Sequence, residues 1–230
     1  MIKQNLRNLL KPLLRIIPKR LLWRLSAQSI EYRFHKNDTW RQSPDFIAQT
    51  QELFTAWGYK AEDFAGELII DLGAGSKLRS KFFKYARIIA IEPLADRFMQ
   101  DIAWSDLRDA HKVYSTPAEE MHPELDNQVA FVMCINVLDH VFDYEQVMTN
   151  IYRMLKPGGQ FLLSLDLHDE PSLTHPINFT KEKLTAALKK AGLEIHSTFE
   201  GLSMGQNYGE GIAWTVIAIK NYEMAVTAPG

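Results

Sequence analysis

Leu68-Ile69-Ile70-Asp71-Leu72-Gly73-Ala74-Gly75-Ser76 is an apolar run that ends in an acid and breaks into a small, glycine-containing turn. A continuous apolar run of this kind reads as a strand buried on both faces. The turn after it must let the backbone approach a ligand closely, which favours glycine at Gly73 and Gly75. Twenty-one residues after Asp71, Glu92 closes a second apolar run, Arg87-Ile88-Ile89-Ala90-Ile91. An acid at the tip of the neighbouring strand accepts hydrogen bonds from ribose hydroxyls in doubly wound folds. The two runs together outline a nucleoside pocket.

Outward from these runs, strands and helices alternate. Strands are predicted at 67–72, 87–92, 111–115, 129–135, 160–167, 194–199 and 212–220, and helices near 77–84, 94–103, 143–155 and 180–191. Such alternation implies a parallel sheet covered on both faces. In the last helix Thr180 is the N-cap, Phe179 and Leu184 form a hydrophobic staple, and Gly192 supplies the C-terminal stop. A glycine-bearing loop from Gly201 to Gly211 joins the last two strands. So short a link cannot serve parallel neighbours, so the final strand is expected to run antiparallel. Upstream, Ser43-Pro44 starts a helix in which Phe46, Ile47, Thr50, Leu53, Phe54 and Trp57 recur at helical spacing.

The chain of 230 residues is 46% apolar and 23% charged, which fits one globular α/β domain with extra residues at an end and excludes a disordered chain. Cys134 is the single cysteine, so no internal disulfide forms, in keeping with a reducing, cytoplasmic compartment. Residues 1–30 hold seven basic side chains and no acid, leaving 19 basic against 28 acidic side chains in the other 200 residues. An acidic body argues against a nucleic-acid groove. Within the arm, Lys3, Arg7, Lys11 and Arg15 recur every four residues opposite Leu6, Leu9, Leu10, Leu13, Leu14 and Ile17, until Pro18 breaks the pattern. Two readings stay open for this amphipathic segment. It anchors in the plane of an anionic membrane, at the inner face, or it packs its leucines on the domain. Charges interrupt every apolar stretch, so neither a cleaved signal peptide nor a membrane-spanning helix is expected.

The order of these features, with the segment Tyr152-Arg153-Met154-Leu155-Lys156-Pro157-Gly158-Gly159 ahead of the fifth strand, resembles the class I S-adenosylmethionine-dependent methyltransferases, of the type 11-like group. The resemblance runs over residues 67–220. It implies an α/β fold with a Rossmann-like, seven-stranded, doubly wound sheet, mostly parallel with one antiparallel C-terminal strand, plus an N-terminal helical extension. The domains it implies are a basic arm over 1–30, a helical cap over 31–66, the S-adenosylmethionine-binding domain over 67–221 and a tail over 222–230. The cofactor-binding residues it implies are Asp71, Gly73, Ala74 and Gly75 under the methionine portion, and Glu92 with Pro93 at the ribose. Ala118 and Glu119 would line adenine, and Asn136 and Val137 the reactive end. The chain departs from the family pattern at Lys77, where a third glycine is common, at Pro117 and at Ala130.

Sulfonium methyl transfer asks the protein mainly to align a nucleophile and exclude water. A hydroxyl acceptor also needs a general base, and histidine is the usual one. His140 after the fourth strand, and His168 and His175 after the fifth, are the candidates, with Asp139 and Asp166 beside them. No pair of these has metal-ligand spacing on one helix, so no metal is expected. The basic arm, together with likeness in the Asp-His and His-Pro-x-x-Phe-Thr neighbourhoods to methyltransferases of surface-glycan assembly, points to a sugar, glycan or lipid-linked acceptor. Two other readings are a non-catalytic cofactor-binding fold and a nicotinamide dehydrogenase. Leu78 in place of the third glycine of Gly-x-Gly-x-x-Gly, and Asp71 just before the turn, oppose the dehydrogenase.

Overall fold

The computed structural model describes residues 19–167, 174–201 and 213–221, with side chains from residue 26 onward. His168, the segment before Pro18 and the C-terminal tail lie outside the described residues. Two helices come first, α1 (Lys19–Asn37) and α2 (Pro44–Ala56). The sheet and its covering helices follow as β1 (Leu68–Leu72), β2 (Arg87–Ile91), α3 (Ala95–Asp101), β3 (Lys112–Tyr114), β4 (Val129–Ile135) and α4 (Tyr144–Met154). The rest is β5 (Leu155–Asp166), α5 (Lys181–Lys190), β6 (Leu193–Glu200) and β7 (Ala213–Lys220).

The seven strands lie in the order β3-β2-β1-β4-β5-β7-β6. β1, β2, β3, β4 and β5 pair in parallel, and β7 runs antiparallel to both β5 and β6, as the short link predicts. Alternate residues of each central strand feed opposite cores. Ile70 and Leu72 pack with Val147, Ile151 and Leu184 on one face. Ile69 and Ala90 pack with Phe54, Phe83 and Phe98 on the other. Each such side chain contributes ~1.5–3 kcal/mol when fully buried. The order reverses beside β1, where ligands bind in open α/β sheets. Leu72 is level with Ile91 on one side and Cys134 on the other, so Gly73, Glu92 and Asn136 emerge along one edge.

Two local expectations are corrected. The helix predicted at 77–84 is a single 3₁₀ turn, Arg79–Phe82, after an extended Leu78. The amides of Leu78 and Ser80 are taken by Asp106 Oδ1 (2.8 Å) and Asp71 Oδ2 (3.1 Å), which hold the segment as a loop. Of the residues at helical spacing in α2, Ile47 is half exposed, while Phe46, Thr50, Leu53 and Phe54 are buried. β5 begins at Leu155 rather than near 160. Its Lys156-Pro157-Gly158-Gly159 stretch is a bulge between the pairs Val129↔Leu155 and Phe131↔Gln160. A Cβ on Gly159 would meet Lys156 O at 2.8 Å and Val129 O at 3.0 Å, so only glycine fits there.

The last helix matches its expected ends. Thr180 Oγ1 accepts from Lys183 N (3.2 Å), Phe179 and Leu184 are buried in one cluster, and Gly192 has φ +87°.

Candidate active site

At the carboxyl edge of the sheet lies a cavity of about 500 Å³. Asp71, Gly73, Ala74, Glu92, Pro93, Ala118, Glu119, Asn136, Val137, His140 and His175 all line it, so the structure brings together every described residue of the sequence-derived site except Gly75, which stands just behind the wall.

The turn after β1 is tied to its surroundings at each residue. Gly73 donates its amide to Ile91 O (2.7 Å) and Gly75 donates to Glu92 Oε2 (3.0 Å). Both glycines sit in the left-handed region, at φ +67° and +63°. A Cβ on Gly73 would come within 2.3 Å of Val137 Cγ2, and one on Gly75 within 2.4 Å of His35 Cε1. Two walls therefore press on this loop, and neither position has room for a Cβ. Glu92 also accepts from Leu94 N at its other oxygen (2.9 Å). Burial pushes its carboxyl up to about 7, against the pull of those two amides. Asp71 is likewise raised to about 6 by burial, offset in part by the Ser80 amide. Asp71 Oδ2 accepts from Ser80 N (3.1 Å).

Across the cavity, Asn136 joins the tips of β4 and β5. Its side chain donates to Asp166 Oδ2 (3.2 Å) and accepts from Asp166 N (3.1 Å), at φ +51°. Glu119 Oε1 accepts from Phe142 N (2.9 Å) and Asp143 N (3.3 Å), which pins the loop carrying His140. His140 Nδ1 stands 3.4 Å from Glu31 Oε1, and its ring packs at 4.3 Å against that of His175. Burial alone would lower the His140 pKa, but the carboxylates of Glu31 and Asp139 outweigh it and raise the value.

α1 supplies site residues for which no sequence expectation was formed. Ile30, Glu31, Phe34 and His35 line the cavity. His35 is buried beside Phe98, and its Nδ1 accepts from Ser76 N (3.3 Å) next to the Ser76 hydroxyl (2.9 Å). Burial, then the charge of Arg41, holds its pKa well below the ordinary value, so the ring is neutral at pH 7. The i, i+4 spacing of Glu31 and His35 was visible, but nothing in it separates a site from a solvated helix face.

A family model described as a methyltransferase domain matches residues 70–163. That match runs from β1 into β5 and supports the resemblance to class I S-adenosylmethionine-dependent methyltransferases. A ubiquinone biosynthesis O-methyltransferase of Pseudomonas aeruginosa is 27% identical over 133 residues, 54% of this chain and 56% of that protein. The chain thus spans about half the length of the curated relatives it matches. Among solved structures, a 1,6-didemethyltoxoflavin-N1-methyltransferase of Burkholderia thailandensis, bound to 1,6-didemethyltoxoflavin and S-adenosylhomocysteine, superposes with TM-score 0.62 at 16% identity, over 90% of this chain and 92% of that one. A phosphoethanolamine N-methyltransferase of Haemonchus contortus gives TM-score 0.57 at 16% identity, over 76% of this chain and 53% of that one. At these identities the structural matches carry the methyltransferase fold alone. The glycine loop lies between Val137 and His35, with Glu92 behind it.

Proposed function

We propose that the protein transfers a methyl group from S-adenosylmethionine to a hydroxyl of a sugar, glycan or lipid-linked small acceptor. When bound, the cofactor supplies a methyl carbon activated by positive sulfur. Gly73 and Gly75 admit its amino-acid portion, and Glu92 receives the ribose at oxygens already oriented by two amides. Ala118, with Glu119 pinning the loop above, bounds the adenine end, and Asn136 and Val137 bound the reactive end.

The proton of the acceptor hydroxyl passes to the imidazole of His140, which Glu31 holds by its other nitrogen. His175 packs on that ring and shares the role of candidate base. His168, the third candidate, lies outside the described residues. The single observation that carries the reading is one cavity with a cofactor-shaped glycine turn on one wall and a carboxylate-held imidazole on the other. An acceptor with an apolar portion suits the mouth, where Ile30, Phe34 and Phe142 are 41%, 41% and 47% exposed around the opening. The relatives that act in ubiquinone biosynthesis, O-methyltransferases by name, support oxygen as the nucleophile.

Placement at a membrane belongs to the same proposal and rests on the basic arm. None of the described helices is long and apolar enough to cross a membrane. Flotation of the full chain with anionic liposomes, beside a chain lacking residues 1–25, tests the arm, and equal recovery of both in the soluble fraction removes the membrane part. Transfer itself is tested with methyl-labelled S-adenosylmethionine and a panel of sugar, glycan and lipid-linked hydroxyl acceptors. Label in an ether linkage supports the reading. Cofactor binding without transfer to any acceptor leaves the non-catalytic alternative.

A further inference from the structure

Asp139, His140 and His175 are distant from any helical metal-ligand pattern, yet their ligand atoms lie within 4.8 Å of one another. Asp139 is 5% exposed, and its Oδ1 is buried without a hydrogen-bond partner. That oxygen faces His140 Nε2 at 3.9 Å, and Oδ2 faces His175 Nε2 at 3.7 Å. Both gaps are too long for hydrogen bonds. Neither admits a water molecule in line, which needs ~5.5 Å between its two partners at ordinary hydrogen-bond lengths. A cation bound at ~2.0–2.2 Å from nitrogen and oxygen spans such gaps with a bent ligand–cation–ligand angle.

The outer nitrogens point the same way. His140 Nδ1 faces Glu31 Oε1 at 3.4 Å, and His175 Nδ1 lies 3.1 Å from Thr174 Oγ1. An oxygen on the far nitrogen fixes the tautomer and turns Nε2 inward, the arrangement that supports metal-bound histidine. A buried carboxylate with an orphaned oxygen is costly unless a positive partner completes it.

We infer that Asp139, His140 and His175 form a site for a first-row divalent cation of the zinc or manganese class, placed to hold the acceptor oxygen. The inference rests on the methyltransferase reading above for the meaning of that oxygen, and it alters one role there. With the cation in place, His140 Nε2 is a ligand rather than the base. Two imidazoles and a carboxylate suit such ions, and the cavity side keeps positions open for an oxygen donor. An acceptor hydroxyl held there loses its proton to solvent at a lower pH. The oxygen–methyl bond then forms as the sulfur–methyl bond breaks, and sulfur keeps the electron pair.

The test titrates Mn²⁺, then Zn²⁺, into full-length, chelator-stripped protein by calorimetry, with S-adenosylhomocysteine titrated into the same samples. The expected result is one cation per chain, at least ~100-fold weaker in Asp139→Asn and in His175→Gln, and ~10-fold weaker in Glu31→Gln as a supporting residue. S-adenosylhomocysteine affinity stays unchanged in all three, which also shows that each variant is folded. No cation bound at millimolar concentration, or equal affinity in wild type and His175→Gln, overturns the site. S-adenosylhomocysteine bound without cation overturns the site and leaves the methyltransferase reading standing. Cation bound without S-adenosylhomocysteine supports the site and sinks that reading, and binding of neither sinks both.

Discussion

The glycine-turn wall of the cavity comes from one stretch of chain, Leu68 to Glu92, while the facing wall gathers Glu31, Asp139, His140 and His175 from three separate segments. The first wall is stiff: two glycines at positive φ, amides paired to Ile91 O and Glu92, and neighbours that leave no room for a Cβ. The second is held by imidazole and carboxylate contacts of 3.4–3.9 Å, looser than the 2.7–3.0 Å bonds of the first. A tight wall suits a cofactor of fixed shape. A wall of ionisable groups suits chemistry and a variable acceptor.

The sharpest division would come from His140→Ala. Turnover is expected to fall by ~10²–10⁴, the usual span for loss of a general base, and a loss is equally expected where His140 holds a cation at the acceptor oxygen, with S-adenosylhomocysteine affinity within about twofold. Steady-state kinetics beside calorimetry measures both, and a parallel loss of cofactor affinity would merge the two walls into one unit.

Gly73→Ala is the converse. A side chain at φ +67° that meets Val137 at 2.3 Å is expected to weaken S-adenosylhomocysteine binding by ~10–100-fold, since strain of ~1–3 kcal/mol is paid in the bound loop. Unchanged affinity would mean that the loop does not touch the cofactor.

The pH dependence of stability separates the walls more gently. Glu92 and Asp71 have folded-state values raised by burial to about 7 and about 6. The folded protein therefore holds protons that the unfolded chain has released, and this stabilisation is full below the ordinary carboxyl range and lost as pH rises through 6 and 7. The ligand-free protein should show a melting temperature that falls between pH 5 and pH 7.5, and Glu92→Gln should flatten the slope. A melting temperature that rises over this window would contradict the burial argument.

The smallest effect is expected at α1. Glu31→Ala should lower turnover by ~2–10-fold with little change in cofactor affinity, because it orients His140 without touching the cofactor turn. Loss of cofactor affinity instead would show that α1 acts through His35 and the glycine loop.

The unequal legibility of the two walls in the sequence has the same origin. Asp71, Gly73, Gly75 and Glu92 fall in one strand–turn–strand passage, where the chemistry of each position is local: a buried run, positive φ, an acid at a strand tip. The antiparallel β7 was readable for a similar reason, since loop length alone excludes the parallel pairing. His140 and His175 were visible as histidines after β4 and β5, because neighbouring parallel strands end at one edge. The pairing of Glu31 with His140 depends on α1 reaching that edge, and that of Asp139 with both rings on how the segments after β4 and β5 meet, neither of which any periodicity records. The loop at 77–84 was misread as a helix because its amides are claimed by acids on β1 and at Asp106, partners that sequence spacing does not reveal.

The central claim is that the turn after β1 and the acid after β2 grip the nucleoside of a sulfonium methyl donor. Titration of S-adenosylhomocysteine into the full-length protein and into Gly73→Ala, in one buffer at pH 7.5, tests it most directly. The account predicts saturable one-to-one binding that weakens by at least ~10-fold in the variant. Absence of binding in the wild-type chain, or equal binding in both, would contradict it.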